Sequence, residues 1–194
     1  MTNQNMKEVL RSIFRLSEGL FEGYKNTRIR HEKSKHGSAF SKQIAQGLVL
    51  PYHMIMAMSC SYSRYDTPLG VLLVAADADG ITDLAIGARE SEFVRAIAAR
   101  CGVAPALDNG RFPELEPAFE DYFTGRPVSF EVPLNPSGTA FDRLVWSALS
   151  AIPWGAALSY GELAEAIGKP GAPRAVGGAC ARNPIPIIIP CHRV

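Results

Sequence analysis

The sequence predicts an α+β protein, a small α/β part followed by a mostly helical part. Three observations carry that reading. From Ser61 to Ile86, apolar runs flank the turn signal Asp77-Ala78-Asp79-Gly80, the pattern of a hairpin or meander. After Gly138 the apolar residues recur at helical spacing, and Ser159 with Glu162 three positions on matches a capping box. The run Ile187-Ile188-Ile189-Pro190-Cys191-His192-Arg193-Val194 reads as a buried strand that delivers Cys191 beside His192 and Arg193. An adjacent histidine or arginine lowers a thiol's pKa and makes it a nucleophile.

Three segments follow along the chain. Residues 1–58 are an unassigned leader, helical then basic. Val9, Leu10, Ile13, Phe14, Leu16, Leu20 and Phe21 mark a helix from Met6 to Tyr24, and Asn26 to Ser38 is a polar, basic linker. Met54, Met56 and Met58 offer alternative starts, so the leader is expected not to be native. Residues 59–136 form the α/β part. Its strands run through Tyr62 and Tyr65, Leu69 to Ala76, and Ile81 to Ile86. Its helices run from Glu92 to Arg100 and from Leu115 to Phe123, before Gly125-Arg126-Pro127. A short strand is expected over Phe130 to Leu134. Residues 137–194 are the helical part. Thr139 caps a helix through Leu144, Val145, Trp146, Leu149 and Ile152, and Pro153-Trp154-Gly155 breaks it. Ser159 starts a second helix that stops at Gly168. Pro173, suited to a first turn, starts a third that reaches Ala181. The last two, joined by a glycine-containing turn, read as a helix-turn-helix. Gly177 and Gly178 inside the third helix cost about 1 kcal/mol each relative to alanine. Close helix packing and contact with a DNA surface both account for them.

Composition narrows the class. With 47% hydrophobic and 20% charged residues, the chain suits a globular protein that needs no staples. No apolar run approaches the ~20 residues of a membrane span, and no secretory signal is visible. Cys60, Cys101, Cys180 and Cys191 lack CxxC spacing, which points to a reduced, cytoplasmic location with Cys60 and Cys101 as ordinary thiols. Neither these cysteines nor His31, His36 and His53 have usable metal-ligand spacing, so no metal is expected. The net charge is +1, yet residues 143–194 set Arg143, Lys169, Arg174, Arg182 and Arg193 against only Glu162 and Glu165. A local basic face is compatible with nucleic acid and equally with a solvated surface.

Several motifs together resemble the O6-alkylguanine-DNA alkyltransferases, also called methylated-DNA–protein-cysteine methyltransferases. They are Thr67-Pro68-Leu69-Gly70, Ser159-Tyr160-Gly161-Glu162-Leu163-Ala164, Arg174-Ala175-Val176-Gly177-Gly178-Ala179, Arg182-Asn183-Pro184 and Ile189-Pro190-Cys191-His192-Arg193-Val194. The resemblance covers Tyr65 to Val194. It implies a ribonuclease H-like α/β part beside a helix-turn-helix DNA-binding part that carries the reactive cysteine. It also implies a monomer without cofactor that acts on double-stranded DNA containing O6-alkylguanine. The implied reaction is direct-reversal DNA repair. One methyl or alkyl group passes irreversibly from O6 of guanine, with O4 of thymine as the alternative lesion, to Cys191.

The resemblance assigns roles residue by residue. Cys191 is the acceptor and His192 the base that draws off its proton. Tyr160 donates to the departing guanine, and Asn183 bridges backbone groups around the cysteine loop. Because the target atom lies inside the stack, the nucleotide is flipped out, and Arg174 fills the space it leaves. A surface salt bridge is the plainer reading of Arg174. Gly177 gives clearance for the minor groove, while Gly161 and Lys169 lie near phosphates.

The sequence departs from the family pattern in places. Pro173 stands where an alanine is usual. The family's glycine-rich loop and final helix, with the glutamate that orients the histidine, have no counterpart after Val194. The chain is therefore expected to be C-terminally truncated, with weak or absent transfer. A non-enzymatic DNA-lesion binder of the same family is the alternative. A Cys-His hydrolase fits poorly, since such enzymes need the two residues far apart in sequence with a third to orient the histidine.

Overall fold

The computed structural model describes residues 60–194, all within one unit spanning Tyr52–Val194. The expected leader helix, the basic linker and the alternative starts at Met54, Met56 and Met58 lie outside the described residues.

Strands β1 (Ser61–Thr67), β2 (Gly70–Asp77) and β3 (Gly80–Ile86) form an antiparallel meander. A two-residue strand, β4 (Ala106–Leu107), adds in parallel to β1, giving the order β3-β2-β1-β4. Turn chemistry sets the register. Asp77 accepts the amides of Asp79 and Gly80 through its Oδ1 at 3.0 and 3.1 Å, closing the β2–β3 turn. Gly80 has φ 149°, and a Cβ there would stand 2.5 Å from the Pro133 carbonyl oxygen, so the close approach of that segment requires glycine.

Leu72 through Ala76 are all buried, because helices cover both faces of the sheet. On one face α1 (Glu90–Cys101) packs Phe93 and Ile97 against Leu73 and Ala75. On the other, α2 (Leu115–Phe123) sets Phe119 edge-on to Tyr65 of β1, with ring centroids 5.2 Å apart. Cys60 and Cys101 form a disulfide, with Cα atoms 6.7 Å apart. This corrects the expectation of two ordinary thiols. Their 41-residue separation gives no sequence signal, whereas packing α1 on the sheet brings the helix end to the start of β1.

The strand expected over Phe130 to Leu134 does not form. Only Leu134 bridges to Ile81, while Pro133 accepts and Asn135 donates across the β3 edge at 2.8 and 2.7 Å. Pro133 has no N–H to give a ladder, so pairing stays at one bridge.

The helical part consists of α3 (Ala140–Ser150), α4 (Tyr160–Ala166) and α5 (Pro173–Ala181). Reciprocal capping boxes start two of them, Thr139 with Asp142 on α3 and Ser159 with Glu162 on α4. Gly168, at φ 70°, ends the α4 turn, and Pro173 opens α5. Trp146 lies buried between the helices, and its indole N–H donates to the Ala179 carbonyl at 2.9 Å, tying α3 to α5. No helix among the described residues is long and apolar enough to cross a membrane.

Candidate active site

The segment from Asn183 to Val194 is not the strand its isoleucines suggest. Ile185, Ile187, Ile188 and Ile189 are all buried, but in consecutive turns that lead to a short 3-10 helix, Cys191–Arg193. Pro184, Pro186 and Pro190 supply no N–H groups, so no ladder can run through the segment. Several of its amides bond within the segment instead. Ile189 donates to the Ile185 carbonyl at 2.9 Å, and Cys191 to the Ile189 carbonyl at 2.8 Å. Ile187 sits at φ 73°, the one non-glycine in the left-handed region among the described residues.

Asn183 organises this turn. Its Oδ1 accepts the Ile185 amide at 3.0 Å, its Nδ2 donates to the Ile189 carbonyl at 2.8 Å, and its own amide donates to Cys180 at 3.2 Å. One side chain thus spans from the end of α5 to two residues before Cys191. The cysteine is a half-buried free thiol in the first position of the 3-10 turn. Cys180, also free, is buried nearby. Burial first, and then the charge on Cys191, push its thiol up.

His192 faces outward from the same turn. Its Nε2 lies 3.3 Å from the Tyr122 hydroxyl of α2, with the two rings nearly perpendicular and their centroids 6.0 Å apart. Partial removal from water, and next the charge of Arg193, hold its imidazole below the ordinary range. It is therefore neutral near pH 7 and able to accept a proton. Arg193 stacks over Trp154 at 5.3 Å and donates to the Ile152 carbonyl at 2.7 Å, while its own carbonyl accepts the Leu158 amide at 2.9 Å.

The other expected residues lie along the helix-turn-helix. Tyr160, 44% exposed, and Gly161 begin α4, and Lys169 is exposed in the turn. Gly177 faces Tyr160, since a Cβ on it would stand 3.5 Å from the phenol ring. The exposed Arg174 side chain, in the first turn of α5, makes no hydrogen bond or ion pair among the described residues. Among the described residues, then, Arg174 has no ion-pair partner of the kind the plainer reading requires. Below it, Arg182 donates to the buried Asp142 through Nη2 at 2.6 Å and Nε at 3.2 Å, joining the end of α5 to the start of α3. Among the described residues no group of three or more His, Cys, Asp or Glu could hold a metal ion.

Sequence reasoning missed four contributors: Tyr122, Trp154, Arg193 as a structural clamp, and the Asp142–Arg182 pair. Tyr122 reads as one more aromatic on an amphipathic helix, and Trp154 as part of a helix-breaking Pro-Trp-Gly. Nothing local marks Tyr122 as a neighbour of His192, or Trp154 as the ring beneath Arg193.

Comparison with known proteins gives concordant matches. Residues 60–136 match the family model of the 6-O-methylguanine DNA methyltransferase ribonuclease-like domain, and residues 140–194 that of its DNA binding domain. The chain is 43% identical over 129 residues to the methylated-DNA–protein-cysteine methyltransferase of Mycobacterium leprae, covering 66% of this chain and 74% of that protein. It is 40% identical over 136 residues to the protein of that name from Methanosarcina acetivorans, covering 69% and 81%. Among solved structures it resembles Mycobacterium tuberculosis O6-methylguanine methyltransferase, with a TM-score of 0.58 at 39% identity over 70% of this chain and 78% of that one. It likewise resembles the Mycobacterium tuberculosis OGT solved in complex with DNA, with a TM-score of 0.58 at 40% identity over 69% and 77%.

Proposed function

The chain belongs to the 6-O-methylguanine DNA methyltransferase family, and from that premise we propose that it repairs DNA by direct reversal, with Cys191 as the acceptor of the alkyl group. Its substrate is double-stranded DNA carrying O6-alkylguanine, and it acts as a monomer. The observation that carries this reading is the Asn183 clamp, which presents a half-buried free thiol on a hydrogen-bonded turn next to His192.

The reaction balances without a cofactor. His192 takes the Cys191 proton, directly or through a water, and the thiolate attacks the alkyl carbon. A carbon–sulfur bond forms as the carbon–O6 bond breaks, and the electron pair leaves on the purine. Tyr160 donates a hydrogen bond or proton to that developing anion, and the proton held by His192 restores neutrality. The thioether is stable, so each molecule acts once.

Binding follows from the helix-turn-helix. Arg174, exposed at the start of α5 and without an ion-pair partner among the described residues, enters the stack as the damaged nucleotide swings out. Gly177 keeps α5 slim against the minor groove, and Gly161 and Lys169 sit at the backbone phosphates, where contacts position without specifying. The basic charge of residues 143–194 supports this face as the electrostatic footprint.

Incubation of the full chain with a duplex containing O6-methylguanine, followed by peptide mass spectrometry, tests the proposal. The peptide holding Cys191 should gain the mass of one CH2, and Cys191→Ser should abolish the gain. Tight binding to the lesion without an adduct on wild-type protein would overturn the transfer reading in favour of a lesion binder.

A further inference from the structure

A side chain of the α/β part, Tyr122, reaches the turn that carries Cys191 and His192. We propose that Tyr122, on α2, is a positioning residue for His192. Its hydroxyl oxygen accepts the Nε2–H and so leaves Nδ1 as the basic nitrogen. The inference rests on the reading of Cys191 as acceptor and His192 as base.

Four observations support it. The Tyr122 hydroxyl is 3.3 Å from His192 Nε2, and no other hydrogen bond to the imidazole is formed among the described residues. The Tyr122 ring is packed rather than free. Phe123 stands edge-on at 5.2 Å, Trp154 edge-on at 5.8 Å and Phe130 tilted at 6.3 Å, so the hydroxyl points in a fixed direction. Trp154 is itself held by Arg193, whose guanidinium lies over the indole and donates to Ile152. The contacts therefore form a closed ring, from Tyr122 to His192, along the chain to Arg193, across to Trp154 and back to Tyr122. Among the described residues, the charged or titratable groups acting on the imidazole are Tyr122 from α2 and Arg193 from its own turn.

Chemistry chooses the direction of the bond. A histidine that is to act as base must present a lone pair. If the phenol donated to Nε2, that lone pair would be occupied, and the bond would have to break when the ring took a proton. If the phenol accepts from Nε2–H, the same bond persists in both protonation states and strengthens in the imidazolium. Fixing the tautomer through the nitrogen that does not react is the usual way such a ring is oriented.

The test has two parts, both on the full chain. In the wild-type protein near pH 7, long-range 1H–15N correlation of the ring nitrogens, assigned by comparison with His192→Gln, should show His192 as the Nε2–H tautomer. The Nδ1–H tautomer would overturn the proposal. In Tyr122→Phe, which keeps the ring and removes only the oxygen, His192 should become a mixture of tautomers. Methyl transfer should slow by about five- to tenfold, the size of one lost hydrogen bond. The acid limb of its pH profile should move to lower pH, since an acceptor for the imidazolium has gone. An unchanged rate and profile would overturn the proposal, and so would a limb moved to higher pH. Failure of Cys191 to take the methyl group in wild-type protein would instead remove the functional reading, so the two failures are distinct.

Discussion

The carbonyl of Pro184 accepts a 2.7 Å hydrogen bond from the amide of Leu84, in the outer strand β3. The reactive segment is thereby moored to the sheet one residue after Asn183, and Asn183 then holds Ile185 and Ile189 in place. Removing the Asn183 side chain strips the Ile185 amide of its acceptor, while the Ile189 carbonyl loses one donor and keeps the Cys191 amide. At about 1 kcal/mol per net hydrogen bond, Asn183→Ala should cost roughly 2 kcal/mol, with a larger cost if the freed Ile185 amide stays buried. Asn183→Asp keeps the acceptor for Ile185 but sets a carboxylate against the Ile189 carbonyl, and should be no better near neutral pH. Urea denaturation and single-turnover transfer assays check both. Wild-type stability together with wild-type rate in the alanine variant would remove the clamp from the account.

Ile187 sets two effects against each other. Its φ of 73° is unfavourable for a β-branched residue by about 1–2 kcal/mol, which glycine would relieve. Yet its side chain is only 6% exposed, and burying an isoleucine is worth about 1.5–3 kcal/mol. Glycine also gains freedom in the unfolded chain, worth roughly another 0.5–1 kcal/mol against folding. The two losses together exceed the relief. Ile187→Gly should therefore lower stability by about 1 kcal/mol, read as a shifted urea midpoint, and a stabilised variant would reverse the ranking.

Local chemistry made most of the helices readable. Thr139 with Asp142, Ser159 with Glu162, Pro173 and Gly168 act within one turn of their own positions, and α2 and α5 begin and end where their signals lie. The meander was readable because Asp77 and Gly80 fix a turn between two apolar runs. What misled was the isoleucine run. Burial without alternation cannot separate a strand from a packed turn, and the deciding facts are the missing N–H groups of three prolines and a side-chain clamp. The Tyr122–His192 contact, with the aromatic rings packed on Tyr122, and the Cys60–Cys101 bridge depend on where α2 and α1 land on the sheet, which no spacing encodes. The residues proposed to react stand out in the sequence only as a constellation, since Cys191 alone carries no signal of its own.

The paired glycines of α5 should respond differently to alanine. At Gly177 a new Cβ meets the Tyr160 ring at 3.5 Å, an ordinary contact. Helix propensity then favours alanine by up to about 1 kcal/mol. At Gly178 it meets Arg182 Nη1 at 3.3 Å, while that guanidinium is bonded to Asp142. Arg182 must move by a few tenths of an ångström, which offsets the gain. Calorimetry should therefore rank Gly177→Ala as the more stable variant, and the opposite order would mean that Arg182 yields without cost.

Asp142 gives the acid limit of stability a named source. The carboxylate is almost wholly buried, accepts from Arg182 and Thr139, and is held below the usual carboxylate range, chiefly by the Arg182 hydrogen bonds. A depressed folded value means that the unfolded chain binds the proton more readily. Its contribution is therefore complete above the unfolded value of about 3.9 and disappears as pH falls through the folded one. Asp142→Asn keeps the shape and discards the charge. The stability gap between wild type and this variant should stay constant near neutral pH and narrow steadily below about pH 4, measured by urea denaturation across the range. A gap that does not change with acidification would show that Arg182 gains nothing from the charge.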